Sequence, residues 1–199
     1  MKKETLEFLQ KHFAVPHIVD IYEDNRYYAV RSNDSSEDSS SNSMAGKFNS
    51  KLFVLGKDVP AAKEEILETA DDVFVQEMVL DTLYSFVYLK KEGVEILSIN
   101  NGLCEGLTSG KITGSSFING VITIDQLQSM VFEPSEGLHI IPSLQSTFSE
   151  SDVQHIVEYC RKVHSYSEFP QCNIEGTVQD GPWATSAYLL QCREVPLKD

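Results

Sequence analysis

The chain has 199 residues, of which 41% are hydrophobic and 10% aromatic, so it is not a disordered chain and fits one large domain or two small lobes. Its 30 acidic residues outnumber its 16 basic ones, which gives a formal net charge of −14. A surface this acidic repels phosphate backbones and anionic lipids, so we expect no nucleic-acid or membrane partner, although a small anionic ligand remains compatible with it.

Hydrophobic periodicity predicts many strands and few helices. The clearest helix, at 150–165, has Ser149 as its N-cap and Asp152 three residues on. A polar segment at 33–46 and a glycine-rich one at 100–110 are predicted to be loops, and the interspersed elements predict an α+β fold. In chain order the predicted elements are a helix at 3–12, strands at 27–31 and 51–55, a helix at 60–70, an antiparallel meander of strands at 72–79, 83–90 and 94–99, short strands near 115–125 and 138–142, the helix at 150–165, and strands at 173–178 and 188–193.

The N-terminus and the cysteines carry no targeting or metal signature. The first residues, MKKETLEFLQKHF, lack the apolar run and the cleavage site of a secretory signal, and no stretch approaches the roughly 20 apolar residues that span a bilayer. We therefore expect a soluble, cytoplasmic protein. None of the four cysteines forms a C-x-x-C pair, which favours ordinary thiols over a zinc or redox site.

Arg31 stands where a predicted strand ends and a Ser-rich loop begins. Loops of this kind expose backbone N–H groups and hydroxyls that bind phosphate, and a fixed guanidinium adds bidentate charge. A surface arginine beside an ordinary linker fits the same pattern. A second strand end, from Gln76 to Val79, can offer backbone groups to the edge of a base, or it can be a plain edge strand.

Glu175, Gln191 and Arg193 stand on the last two predicted strands. Gln191 and Arg193 are two residues apart and therefore share a face, and Glu175 joins them if the two strands pair. A carboxylate, an amide oxygen and a guanidinium on one face are typical of a Mg²⁺–phosphate site. A strand pair whose polar side chains merely face water is the alternative.

Four segments, in this order, resemble one known family: AVRSNDSSEDSSSNSMAGKFNSKLFV, VFVQEMV, NNGLCEGLTSG, and FPQCNIEGTV followed by YLLQCREV. They are similar to the V-R-S-S, V-Q-x-M-V, G-L-G-E-x-x-V-S-G and P-Q-D-I-E-W/L-Q-x-R-P-V motifs of the ATP-grasp region in phosphoenolpyruvate synthase, pyruvate phosphate dikinase and related dikinases. The similarity covers roughly residues 28–196.

The resemblance implies an ATP-grasp-like α+β fold of antiparallel sheets and packed helices. Residues 1–79 would form a partial first lobe with a Ser-rich phosphate loop at 32–46, and residues 80–199 would form the second lobe. It also implies a role for individual residues: Arg31 and Arg193 as catalytic groups that bind ATP phosphate, Gln76, Glu77 and Val79 as the lining of the adenine and ribose pocket, and Glu175 and Gln191 as Mg²⁺ ligands.

The sequence departs from the family in its first lobe. The family's lysine-bearing G-G-K-G-A-N-L-like segment has no match before Arg31, and Lys2, Lys3 and Lys11 stand in no matching context. The family's swivelling histidine domain and phosphoenolpyruvate-binding domain have no counterpart either. Near the C-terminal end, three further positions differ: Asn173, Gly176 and Glu194 replace Asp, Trp and Pro.

Two functions remain open from the sequence. One is a Mg-ATP-dependent, kinase-like phosphotransferase whose protein partner supplies the missing lobe or the phosphate acceptor. The alternative is a catalytically degenerate module that binds a nucleotide or a protein. Loss of one charge-assisted phosphate contact costs about 1.5–3 kcal/mol, so we expect ATP binding to be weak and Mg²⁺-dependent.

Overall fold

The computed structural model describes residues 2–33, 50–124, 128–143, 145–180 and 185–195. The predicted phosphate loop therefore lies outside the described residues from residue 34 onward. The elements are α1 (Lys2–Leu9), β1 (Tyr27–Ser32), β2 (Ser50–Leu55), α2 (Val59–Leu67), β3 (Val73–Glu77), β4 (Thr82–Lys91), β5 (Val94–Gly102), α3 (Glu105–Thr108), β6 (Ser115–Ile118), β7 (Val121–Thr123), β8 (Gln128–Glu133), β9 (Gly137–Pro142), α4 (Glu150–Ser167), β10 (Cys172–Gln179) and β11 (Ser186–Glu194).

The described strands form a three-stranded sheet and an eight-stranded sheet. In the small sheet, β1 lies between β2 and β3 and is antiparallel to both. The large sheet runs in the order β11-β10-β4-β5-β6-β7, and β8 pairs in parallel with the end of β5 and antiparallel with β9. This mixture of antiparallel sheets and few helices confirms the predicted α+β class.

The predicted meander is wrong at its first strand. β3 pairs with β1 of the small sheet, whereas β4 and β5 pair with each other in the large sheet. The chain changes sheets across 78–81, where Asp81 has a φ of 57° and turns the backbone. Hydrophobic pattern alone indicates where strands lie but not which strands pair, so it does not assign β3 to the small sheet.

The small sheet packs against α2. Tyr28, Val30 and Val75 of the sheet meet apolar side chains of the helix, Val59 and Ile66 among them, and all five residues are buried. The helix has a proline in its first turn, as predicted. The sheet can therefore present its other face to the cleft described below.

The large sheet packs against α4, the helix that the sequence predicts most clearly. Ser149 and Asp152 form the predicted capping box, in which the Asp152 N–H donates to Ser149 Oγ at 3.3 Å and the Ser149 N–H donates to Asp152 Oδ2 at 2.7 Å. The apolar face of the helix is fully buried. Its buried residues are Val153, Ile156, Val157, Cys160 and Val163.

The first helix belongs with the large sheet, although it precedes the small one in the chain. Leu6 and Leu9 of α1, together with Phe13, are part of the core beneath β11 and α4. The Leu189 N–H of β11 donates to the Ala14 carbonyl at 2.8 Å. The chain thus begins on the large sheet, crosses to the small one and returns; the boundary at residue 79 stays a prediction.

Two elements escape the sequence patterns. The four-residue helix α3 lies within the predicted loop 100–110, and β8 lies where no strand was expected. Both are short, and β8 is held largely by its hairpin with β9. All four cysteines are buried free thiols, and among the described residues no helix is long and apolar enough to cross a membrane.

Gly176 of β10 is required by the packing of the core. A Cβ at this position would overlap the ring of Phe86 on β4, and Phe86 is fully buried. This contact leaves no room at position 176 for the Trp of the motif that this strand resembles. It also fixes β10 closely against β4, and so fixes the strand that carries Glu175.

We expect Gly176→Ala to lower the free energy of unfolding by about 1–3 kcal/mol, because overpacking a filled core forces its neighbours to move. Urea denaturation measures the effect. In a double-mutant cycle, the same substitution should cost less in a Phe86→Leu background than in the wild type. Equal costs in the two backgrounds would contradict the contact.

Candidate functional site

A cleft of about 600 Å³ is lined by residues of both sheets, of the segment that joins them and of α3. Strands β1, β2 and β3 line one side of the cleft, and β4, β10, β11 and α3 line the other. The structure brings every predicted site residue to its wall, while what each one binds stays a prediction. These residues are Arg31, Gln76, Glu77, Val79, Glu175, Gln191 and Arg193.

The large-sheet wall of the cleft is set by the pairing of β10 with β11. Glu175 lies directly opposite Gln191, and Asn173 lies opposite Arg193. The register shifts just after this pair, where Leu190 is an extra residue on β11. Such a bulge re-aims side chains, and Leu190 and Gln191 both line the cleft. The strand pairing on which the predicted Mg²⁺ site depends is therefore present.

Asn173 adds an oxygen to this strand face. It is two residues from Glu175 on β10, so the two side chains point the same way. Its Oδ1 is buried and accepts no hydrogen bond from the described residues. A buried amide oxygen without a donor is costly unless a cation or a bound molecule satisfies it. The sequence identifies Asn173 only as a replacement for the family's Asp.

Arg31 lies across the cleft from this face, at the end of β1. Its Nε is buried and has no hydrogen-bond partner among the described residues. Burial lowers the pKa of the guanidinium, and the negative charges of Glu175 and Glu105 oppose that effect. A buried cationic donor without an acceptor is the group that an anionic ligand would satisfy.

Glu105 and Cys104, at the start of α3, belong to the site although the sequence assigned them no role. Burial raises the pKa of the Glu105 carboxyl, which accepts a hydrogen bond from Thr108 Oγ1 at 3.4 Å. Burial also raises the pKa of the Cys104 thiol well above its ordinary value, so this residue is a neutral part of the wall. Glu105 could have been found, because it matches the Glu of the G-L-G-E motif.

The end of β3, just before the segment that joins the two sheets, is held by a hydrogen bond and an ion pair. Gln76 Nε2 donates to the Pro16 carbonyl at 3.2 Å, so this part of its side chain serves the fold. Glu77 Oε1 pairs with Arg26 Nη1 at 3.1 Å. Both residues line the cleft. The second carboxylate oxygen of Glu77 is not part of the ion pair with Arg26. Val79 adds an apolar side chain beside them.

An aromatic cluster joins the two sheets beside the cleft, and one of its members, Phe53, lines the cleft. Phe53 of β2 stacks on Phe132 of β8, with ring centroids 3.9 Å apart, and Tyr27 packs edge-on against Phe132 at 5.2 Å. Phe53 has a φ of 56°, which is costly for a bulky residue. Strain of this kind persists only where surrounding contacts enforce it. The stack is one contact between the small sheet and the large sheet.

Solved structures with the same fold are D-alanine–D-alanine ligases. A ligase from Bacillus anthracis complexed with ATP matches with a TM-score of 0.50 and 8% identity, over 98% of this chain and 55% of the ligase. A ligase from Helicobacter pylori matches with a TM-score of 0.51 and 12% identity, over 97% of this chain and 53% of the ligase. These ligases are ATP-grasp enzymes, so the chain has an ATP-grasp-like fold and spans about half their length.

No protein-family model and no curated protein matches the chain. The similarity to the ligases therefore rests on structure alone, and the sequence identity is too low to assign their activity to this chain.

The pKa of Glu105 should depend on the two other charges of the cleft. The charge of Glu175 raises the pKa of Glu105, and the charge of Arg31 lowers it. We therefore expect Glu175→Gln to lower the Glu105 pKa, because a like charge is removed, and Arg31→Gln to raise it. Carbon-detected NMR titration of the Glu105 carboxyl measures both shifts.

Glu158→Gln provides the control. Glu158 is an exposed carboxylate on α4, which packs on the opposite face of the large sheet. It should leave the Glu105 pKa unchanged. If Glu175→Gln left the Glu105 pKa unchanged, the two carboxylates would not share the cleft.

Proposed function

We propose that this chain is a Mg-ATP-binding module of a phosphotransferase, similar to the nucleotide-binding region of phosphoenolpyruvate synthase and pyruvate phosphate dikinase. The observation that carries the proposal is the pair of opposed groups across one cleft: Glu175 and Gln191 side by side on β10 and β11, and the buried, unpartnered Nε of Arg31 on β1. Carboxylate, amide and guanidinium are the groups that Mg²⁺ and phosphate require.

The phosphates would lie between Arg31 and Arg193. Arg31 offers a donor that has no acceptor among the described residues, and a phosphate oxygen would satisfy it. Arg193 is exposed at the rim of the same cleft and can turn its planar fork toward a phosphate. Together they would hold the transferring group in place while its charge develops.

The oxygen donors on β10 and β11 are too few to bind a metal whose ligands all come from the protein, but they are sufficient for Mg²⁺. Mg²⁺ is commonly held by one or two carboxylates, phosphate oxygens and water. Glu175 would supply one carboxylate, and Gln191, opposite it on the same strand pair, an amide oxygen. When bound, Mg²⁺ would neutralise phosphate charge. Among the described residues, the one cluster of three His, Cys or acidic ligands lies elsewhere, on the β8–β9 hairpin.

The base would lie at the other end of the cleft, toward the segment that joins the sheets. Met78 and Val79 of that segment, together with Leu103, supply apolar surface to the cleft lining. Glu77 would contact the ribose or base edge beside them, as the family resemblance implies. Apolar side chains beside a few placed polar groups are typical of a small-molecule site.

The phosphate acceptor would come from a partner protein or from a part of the protein outside the ATP-grasp-like fold. No histidine is among the described residues that line the cleft, and the chain spans about half of the ligases that share its fold. A catalytically degenerate nucleotide-binding module is the alternative. Phosphotransfer requires ATP consumption when a protein bearing the acceptor is added, whereas the degenerate module binds without turnover.

We expect ATP binding to require Mg²⁺, and Glu175→Ala to weaken Mg-ATP binding about ten- to a hundred-fold, as loss of a charged ligand contact predicts. Isothermal titration calorimetry with and without Mg²⁺ measures this. The matched control is Glu158→Ala, an exposed carboxylate on α4, which should bind Mg-ATP as the wild type does.

Two results would contradict the assignment. ATP that binds equally well without Mg²⁺ would show that Glu175 and Gln191 hold no metal. Mg-ATP that binds equally well to Glu175→Ala would show that the metal lies elsewhere.

A further inference from the structure

We propose that the β8–β9 hairpin binds a Zn²⁺ ion, at a site separate from the cleft. Its ligands would be Glu133, Glu136 and His139, which offer two carboxylate oxygens and one ring nitrogen. These three ligand atoms lie within 4.8 Å of one another. None of the three residues is part of the cleft lining.

The pairing of the two strands brings these side chains to one end of the hairpin. In the register, Glu133 lies opposite Gly137 and Val131 lies opposite His139. Glu133 and His139 are therefore diagonal neighbours on one face, a distance that long side chains can bridge. Glu136 belongs to the turn between the strands, where its N–H donates to the Glu133 carbonyl at 3.1 Å. The backbone of the hairpin thus places all three ligands.

The imidazole of His139 is oriented by its other ring nitrogen. The Nδ1–H donates to the Gly137 carbonyl at 3.1 Å, because a carbonyl can only accept, and Nε2 then carries the lone pair. Metal-binding histidines are commonly held in this way by a carbonyl or a carboxylate. Nε2 lies 3.9 Å from Glu133 Oε1 and 3.9 Å from Glu136 Oε2. Both separations are too long for a hydrogen bond, so neither carboxylate occupies the lone pair.

The donors fit a small tetrahedral ion in spacing, charge and chemistry. Ligands of Zn²⁺ lie about 2.0–2.2 Å from the ion and hence about 3.4 Å from one another. Glu133 and Glu136 are exposed, so their side chains can turn inward by the small remaining distance. Two carboxylates neutralise a divalent cation, and a nitrogen ligand favours Zn²⁺ over Mg²⁺ or Ca²⁺, which prefer oxygen. Water would take the fourth position.

The thiols of the chain are poor competitors for the ion. All four cysteines are buried, and burial raises the pKa of each thiol. Zinc binds the thiolate, so a thiol that burial keeps neutral is a weak ligand. His155 is an exposed histidine on α4 and provides a matched control.

A Zn²⁺ titration followed by ¹H–¹⁵N NMR of the histidine rings tests the site. Of the five histidines, only His139 should respond, through its Nε2 signal, and an excess of Mg²⁺ should not reverse the shift. In calorimetry, His139→Ala and Glu136→Ala should each weaken Zn²⁺ binding at least about ten-fold, since even the loss of an outer partner of a ligand has an effect of that size. His155→Ala and Glu175→Ala should match the wild type.

Several results would overturn the site. One is Zn²⁺ binding that shifts another histidine and leaves His139 unchanged, and another is the absence of Zn²⁺ binding by the wild type. Wild-type affinity in Glu136→Ala, a substitution at an exposed turn residue, would also overturn it. Binding lost in Glu175→Ala would assign the ion to the cleft instead. None of these readouts uses ATP, so the outcome is independent of the proposed function.

Discussion

The site depends first on the register between β10 and β11. Glu175 lies opposite Gln191 only in this register, and a slip by one residue would turn Glu175 toward the core beneath α4. The position of β10 itself is held from its other side by β4, where Ser85 Oγ donates to Thr177 Oγ1 at 3.0 Å. The contact between Gly176 and Phe86 adds a second restraint. Core packing thus decides which side chains reach the cleft.

The cleft holds charges that burial disfavours. Burial lowers the pKa of Arg31 and raises that of Glu105, so both groups are held at a cost in their charged forms. Buried polar atoms without partners add to this cost. A fold pays such costs where a ligand later satisfies the groups. The strained backbone of Phe53, at the aromatic stack between the sheets, lies beside the same cleft.

The sequence predicts those parts of the molecule that depend on local pattern. The periodicity and cap of α4 come from side chains within one element. The shared face of Gln191 and Arg193 follows from strand geometry alone. Arg31 could be placed because a strand visibly ends beside it. These features require no knowledge of how distant segments meet.

The parts that the sequence leaves out depend on contacts between distant segments. β3 has an ordinary strand pattern, and only its packing with β1 and α2 assigns it to the small sheet. α1 meets the end of β1 because Asn33, itself held by Asp72 far along the chain, accepts a hydrogen bond from the Lys3 N–H. Cys104 and Glu105 reach the cleft because α3 forms inside a glycine-rich segment. No local sequence pattern predicts these positions.

The central claim is that an anionic ligand satisfies the buried Nε of Arg31. The most direct measurement is the ¹⁵N-edited NMR signal of the Arg31 Nε–H during titration with Mg²⁺ and a non-hydrolysable ATP analogue. Binding of the analogue should shift this signal downfield and slow its solvent exchange, and it should also shift the signals of Glu77 and Val79. An Arg31 signal that stays unchanged while the analogue binds would contradict it.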